Sequence, residues 1–401
     1  MADLEAFRAD VRSWLEANAP QRLRGVPADE LEGVWGGKKW LKASPDPDQK
    51  AWLERCAARG FTAPTWPKEY GGGGLSKDEA KVLSEEMRRL RMPPPLVGFG
   101  LTMIGPTLLA YGNDEQKREH LPRICRGEVR WCQGYSEPGA GSDLAGLQTR
   151  AEDKGDHYIV NGTKIWTSYA DKADWIFALV RTNPRAKKQE GITFILIDME
   201  TPGVSVSPIL LISGTSPFCE THFTDVKALK KNIIFKENAG WTVAKALLGH
   251  ERTMVAEAFG GGAGGGARRS LADRARQYVA SDASGRIADA ASREALARIE
   301  MDTRAFGLTM QRSRDAAKAG HQPGPESSMF KVYGTELNMR RQEMLVRLAG
   351  PQSLGWEGPG FSEEELATTR DWLRSRGNSI EGGTSEVQRN VIAKRVLGLP
   401  D

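Results

Sequence analysis

Near the end of the chain, in Ser379-Ile-Glu-Gly-Gly-Thr-Ser-Glu-Val-Gln-Arg-Asn390, a carboxylate stands beside two glycines just before a helix start. Ser385 followed by Gln388 reads as a capping box, which sets the partial positive charge of a helix N-terminus next to Glu381. A second carboxylate, Glu251, lies in Leu247-Leu-Gly-His-Glu-Arg-Thr253, in helical periodicity and followed by Arg252. The ordinary reading of a Glu-Arg pair there is an exposed, ion-paired helix face. Two further stretches suit a flat or phosphorylated ligand. In Trp131-Cys-Gln-Gly-Tyr-Ser-Glu-Pro-Gly-Ala-Gly-Ser-Asp143 glycines let backbone donors come close, and Ser136 and Ser142 add hydroxyls. In Gly162-Thr-Lys-Ile-Trp-Thr-Ser168, Trp166 offers an aromatic face and Thr167 and Ser168 can bond to ring heteroatoms. Neither has the GxGxxG of a dinucleotide fingerprint with a strand before it and a helix after.

The elements that must hold these groups follow from periodicity. Residues 1–130 read as a helical domain, with segments at 3–17, 46–59, 76–90, 101–111 and 114–126 separated by Pro and Gly punctuation. Over 131–236 the period falls to two, and 157–162, 175–180, 192–197 and 204–206 read as strands of a β domain, with Asn161-Gly162 as a hairpin turn. Over 237–401 helical periodicity returns in segments at 241–279, 286–319, 327–349, 362–376 and 386–397, suited to an antiparallel bundle. The cluster Gly260-Gly-Gly-Ala-Gly-Gly-Gly266 interrupts the first. It is either a flexible break or a helix kept thin on one face. The fold class expected is α+β: helices, then a β domain, then helices.

Composition narrows the partners. In 401 residues Lys and Arg (56) exceed Asp and Glu (52) by four, too small an excess to argue for nucleic acid but compatible with an anionic small ligand. The four cysteines form no CxxC and the five histidines no HxxxH, so neither a metal centre nor a disulfide framework is expected. No apolar run nears the roughly 20 residues of a membrane span, and the amino terminus lacks a signal-peptide layout. A cytoplasmic protein is expected.

Trp66-Pro-Lys-Glu-Tyr-Gly-Gly, Tyr111-Gly-Asn-Asp-Glu-Gln-Lys, Ser136-Glu-Pro-Gly-Ala-Gly-Ser-Asp143, Lys164-Ile-Trp-Thr-Ser168 and Gly383-Thr-Ser-Glu-Val-Gln-Arg389 stand in one order across nearly the whole chain. Together they resemble the acyl-CoA dehydrogenase family. The resemblance implies a helical domain, a β-barrel-like domain and a four-helix bundle. It also implies FAD-dependent α,β-dehydrogenation of an acyl-CoA, with electrons passing to an electron-transferring flavoprotein. By the same resemblance Tyr135, Ser136, Gly141, Ser142, Trp166, Thr167, Ser168, Thr384 and Glu386 contact the cofactor, with Trp166 beside the ring system and Thr167 and Ser168 near its N5. Ser142, Gly249, Arg252 and Gly382 contact the substrate.

In much of the family the catalytic Glu directly precedes Gly-Thr-Ser, a position held here by Gly382, with Glu381 one residue earlier. Such a shift turns a side chain to another face. Other members carry the base on a bundle helix in Leu-x-x-Glu-Arg, which assigns it to Glu251. The neighbour-side segments of homotetrameric members, Arg-x-x-Phe-Gly and Gln-x-x-Gly-Gly-x-Gly, are replaced by Tyr278-Val-Ala-Ser-Asp-Ala-Ser-Gly-Arg286 and Val346-Arg-Leu-Ala-Gly-Pro-Gln352. A tetramer is implied, and a heterotetramer with a second acyl-CoA dehydrogenase subunit is the expectation. The glycine cluster would widen the acyl cavity for a bulky, branched or cyclic group. The alternatives are an inactive partner subunit and a nitroalkane-oxidase-like or monooxygenase-like flavoenzyme of the same fold.

Overall fold

Helix α1, Leu4–Asn18, begins where the Asp3 carboxylate accepts from the backbone N–H of Glu5 and Ala6, and it buries Val11 and Leu15. The computed structural model describes residues 3–43, 45–248, 270–320, 324–325 and 327–400. The chain divides into two units, Met1–Ile209 with Pro217–Leu248, and Leu210–Ser216 with Gly249–Asp401. In the first unit α1 is followed by α2 (Lys38–Lys42), α3 (Pro47–Ala58), α4 (Lys77–Arg89), α5 (Gly105–Tyr111) and α6 (Asp114–Cys125). Capping boxes at Ser76/Glu79 and Asn113/Gln116 start α4 and α6. Val11, Leu15, Trp52, Cys56, Phe61 and Leu83 form the helical core, each large side chain contributing about 2 kcal/mol by leaving water. The expected helix at 101–111 opens as a π-turn, Gly100–Ile104, and continues as α5. Gly105 is required there, because a Cβ would lie 2.0 Å from the Trp66 ring.

Helices α1 and α4 are tied by a carboxylate. Glu86, 2% exposed, accepts from Arg12 at 2.9 and 3.0 Å, from Arg89 at 2.7 Å and from Arg8 at 3.1 Å. The Arg12 hydrogen bond outweighs burial and, with those of Arg89 and Arg8, holds the Glu86 carboxyl at about 2. A depressed carboxyl stabilises the fold above its unfolded value of 4.5, and that contribution is lost as pH falls from there to about 2. Glu86→Gln is therefore expected to cost about 2 kcal/mol at neutral pH. Urea titrations should show the gap from wild type narrowing below pH 4.5 and closing near pH 2.

The same unit holds β1 (Trp131–Gly134), β2 (Arg150–Asp153), β3 (His157–Ser168), β4 (Trp175–Arg181), β5 (Ile192–Asp198), β6 (Val204–Ile209) and β7 (Phe218–Leu229), and helix α7, described over 240–248. The sheet runs β1-β4-β2-β3-β7-β6, with β5 antiparallel to β4. Every residue of β4 is buried, as befits a strand covered on both faces. Two features depart from expectation. β1, β2 and β7 join the four strands read from periodicity, and Asn161-Gly162 is no hairpin. There β3 runs on against β7 through a register shift between Val160 and Gly162. Asn161 is held across the strands by Asp225, and at Gly162 a Cβ would lie 2.6 Å from Thr149 Oγ1. The dipeptide serves a close approach of two chains.

The helical layer is bonded to the sheet. Gln116 Nε2 donates to the carbonyls of Lys231 and Ile233 at 2.8 Å each. Buried Asp174 accepts from the backbone N–H of Lys38 and Arg130 at 2.9 and 2.8 Å. His120 lies edge-on to Trp131 and Trp175, and burial pushes its imidazole down to about 4, so it is neutral at physiological pH.

The second unit contains α8 (Leu271–Tyr278), α9 (Ala290–Lys318), α10 (Ser327–Ala349), α11 (Glu363–Ser375) and α12 (Ser385–Val391). Leu271, Leu296, Ile299, Phe306, Phe330 and Met344 belong to its core. Arg274, 5% exposed, joins α8 to α11 through Glu364 at 2.5 Å and Thr368 Oγ1 at 3.0 Å. Among the described residues no helix is long and apolar enough to cross a membrane.

Candidate active site

In the first unit, β1 delivers the chain to the turn at 135–143. Tyr135 is 5% exposed, its ring edge-on to Phe177 and Phe194. Ser136 is half-buried and its carbonyl accepts from Ile165 N at 2.9 Å, which lays the turn against the strand end carrying Trp166. Gly141 and Ser142 are exposed. A Cβ at Gly139 or Gly141 would meet nothing within 4 Å. Neither glycine is demanded by internal crowding, so a side chain there would fill space open to a ligand approaching the backbone.

Strand β3 slips register between Lys164 and Thr167 and then pairs Thr167 with Cys219 and Ser168 with Phe218. The slip holds Trp166 at φ +60°, a costly conformation for a bulky residue, and leaves its indole 53% exposed, edge-on to Phe218. Strain of this kind gathers at ligand sites, and an exposed, immobilised indole beside an open glycine turn fits the ring system of a flavin. Thr167 is 0% exposed, and its hydroxyl is buried without a partner among the described residues.

Two residues of this site had no role assigned from sequence. Glu137 Oε1 accepts from Lys164 Nζ at 2.7 Å and Thr149 N at 2.9 Å, and Oε2 from Gln148 N at 2.5 Å. Lys164 Nζ also donates to the Tyr135 carbonyl at 3.1 Å. Both side chains are buried, at 7% and 0% exposure. Burial works against the Glu137 charge, but Lys164 and the donors on the 148–149 backbone hold its carboxyl below the usual value. Burial pushes the Lys164 ammonium down to about 8 against the pull of Glu137. The signal was available: Lys164 stands in the inward phase of Tyr158 and Val160, where a lysine needs a buried acid.

In the second unit, Gly382 and Gly383 have φ of +65° and +87°. The cap of α12 is Thr384, whose hydroxyl accepts from Val387 N at 3.2 Å, and the helix starts at Ser385. The expected box at Ser385 is not formed: the cap lies one residue earlier, and Gln388 donates to the Gly382 carbonyl at 3.0 Å, bracing the loop. Glu386 is exposed and lies 3.9 Å from Arg389. Glu381 is bound by Arg374 at 2.7 and 3.4 Å and by Asn378 at 2.5 Å. Lys331 on α10 is 1% exposed, its Nζ without a partner among the described residues. Burial holds this ammonium below its usual value, while Glu381 and Glu386 pull it upward. Gly249, Glu251, Arg252 and the glycine cluster lie outside the described residues.

The turn between α8 and α9 is closed on itself. Asp282 accepts from Ser284 N at 2.9 Å, Ser284 Oγ at 2.7 Å, and Arg286 N and Nε at 3.0 Å each.

Family models match the chain over residues 2–128 (acyl-CoA dehydrogenase, N-terminal domain), 132–226 (middle domain) and 238–397 (C-terminal domain). Acyl-CoA dehydrogenase IpdE1 of Mycobacterium tuberculosis is 37% identical over 410 residues, covering 100% of this chain and 99% of that protein. Among solved structures, the Tcur3481-Tcur3483 steroid ACAD is 29% identical at a TM-score of 0.73, covering 100% of this chain and 98% of the other. The ChsE4-ChsE5 complex from Mycobacterium tuberculosis is 30% identical at 0.71, with the same coverage. Helices, open sheet and helices succeed one another in the order of the three matched domains, and the chain belongs to the acyl-CoA dehydrogenase family of FAD-dependent oxidoreductases.

Proposed function

We propose that this chain oxidises a bulky acyl-CoA thioester to its trans-2-enoyl-CoA, with Glu251 as the base. The observation that carries the reading is the open turn at 135–142 bonded to the strand end that holds Trp166 exposed. Bound FAD supplies the oxidising chemistry, taking up the β-hydrogen as hydride. The chain's own part is to bind, orient and move one proton. Tyr135 and Ser136 would hold the ring edge, Trp166 would lie beside it, and Thr167 and Ser168 would offer their hydroxyls to the ring. Gly141 and Ser142 take phosphates. Thr384 and Glu386 are the contacts proposed for the second unit. Gly249, Arg252 and Gly382 position the thioester, whose carbonyl must be polarised before a carboxylate can remove the α-proton. Glu251 accepts that proton as the Cα–Cβ double bond forms.

A bulky acyl group is supported by the names of the steroid-type neighbours and by the glycine cluster following Glu251. The closed Asp282 turn supports assembly with an unlike acyl-CoA dehydrogenase chain, and an electron-transferring flavoprotein is the acceptor proposed. Anaerobic titration of the flavin-loaded enzyme with a panel of CoA thioesters tests the substrate. Steroid-ring or side-chain thioesters are expected to bleach the flavin at least about tenfold faster than butyryl-CoA. Preference for butyryl-CoA would overturn the bulky-substrate reading.

A further inference from the structure

We propose that the buried Glu137–Lys164 pair is a positioning clamp, setting FAD affinity by fixing the turn at 135–142 against the strand end that carries Trp166. The inference rests on the reading that this turn and Trp166 hold the flavin. Neither clamp residue is expected to touch the cofactor, since both side chains are closed off from the surface.

The geometry carries the argument. The Glu137 carboxylate closes a loop in its own chain by accepting from Gln148 N and Thr149 N, so both ends of the 137–149 segment converge on one group. Inside that loop Arg181, 7% exposed, donates to the carbonyls of Ala145 at 2.5 Å and Leu147 at 3.2 and 3.3 Å. Lys164 then joins the loop to β3: its ammonium reaches both the Glu137 carboxylate and the Tyr135 carbonyl, two residues before Trp166 in the chain. A backbone bond between turn and strand, Ile165 N to Ser136 O, lies between the two ends of the clamp. Since β3 is out of register with β7 over this stretch, the pairing that would otherwise align residues 165–166 is interrupted. The ion pair supplies the alignment that the ladder does not. A buried pair of this kind is a costly way to gain stability and a good way to fix one geometry, because a charge left without its partner is penalised heavily.

The test uses the full-length chain in its FAD-binding assembly, with FAD affinity measured by flavin fluorescence and unfolding followed separately. Glu137→Gln and Lys164→Met are each expected to weaken FAD by about 10- to 100-fold, as loss of supporting-shell groups commonly does. The double variant, which leaves no unpaired charge, should bind FAD better than either single one. Glu137→Asp keeps the charge but shortens its reach, and serves if the other variants fail to fold; a measurable loss of affinity is expected. Trp166→Ala is the control on the underlying reading, expected to weaken FAD by about tenfold. Unchanged affinity in Trp166→Ala would overturn the flavin site itself. Weakened affinity there, with wild-type affinity in Glu137→Asp and in whichever of Glu137→Gln and Lys164→Met fold, would overturn the clamp alone and leave the pair a purely structural one.

Discussion

Glu251→Gln is expected to lower the rate of flavin reduction by a factor of about 10² to 10⁴, the range for removing an acid–base group, while FAD stays bound. The α-proton of a thioester is removed only by a group held against it, and an amide of the same size cannot take it. The contrast with Glu381 makes the experiment decisive. Both oxygens of Glu381 are engaged by Arg374 and Asn378, and Asn378 in turn accepts from Asn338 at 2.8 Å. To act as a base, Glu381 would have to give up its charge-assisted hydrogen bonds to Arg374 and turn away from Asn378. Glu381→Gln is accordingly expected to keep turnover within about threefold of wild type, its main effect being on the loop that Arg374 braces. Single-turnover reduction by acyl-CoA under anaerobic conditions distinguishes the two. Near-normal reduction in Glu251→Gln with collapse in Glu381→Gln would reverse the assignment.

The second large effect concerns assembly. Purified alone, the chain is expected to hold little FAD, and co-expression with an unlike acyl-CoA dehydrogenase chain should raise the content to about one FAD per pair of chains. The reason is local. The turn after α8 joins Asp282 to Arg286 and stands where the family resemblance expects the Arg-x-x-Phe-Gly segment of a neighbouring chain, so a second copy of this chain would not supply that segment. Arg347, in the other altered segment, donates to Glu343 one turn earlier on α10. Flavin absorbance per protomer, measured on both preparations, reads the outcome, and a fully flavinated homotetramer from this chain alone would overturn it.

Much of the site was legible before any fold was known, because its parts are local. Glycines and small hydroxyls at 135–142, a Trp ahead of small polar residues at 166–168 and a Gly-Thr-Ser start to a helix are composition within a few residues of chain. Periodicity likewise placed α1, α3, α4 and α6 within two residues of their observed limits. The strands β1, β2 and β7 escaped because short or mixed segments take their period from neighbours, and only the pairing shows it.

What sequence could not decide was which way individual groups face. The slip between Lys164 and Thr167, with Trp166 exposed and Thr167 buried beside it, belongs to the pairing with β7, a strand about 50 residues away in the chain. Asn161-Gly162 looked like a turn because local chemistry favours one, yet the long pairing with β7 carries the strand straight through. The helix at 385 begins one residue from where its box was read: Thr384 caps it, and Gln388 donates to the Gly382 carbonyl. Lys164 and Glu137 are separated by 26 intervening residues and become a pair only when β1 and β3 bring them together. Local residue chemistry therefore pointed to a flat or phosphorylated ligand and to the segments proposed to hold it. Register, packing and long-range pairing chose the side each part presents, because strand and helix faces alternate within one or two residues and a slip that small is decided by distant neighbours.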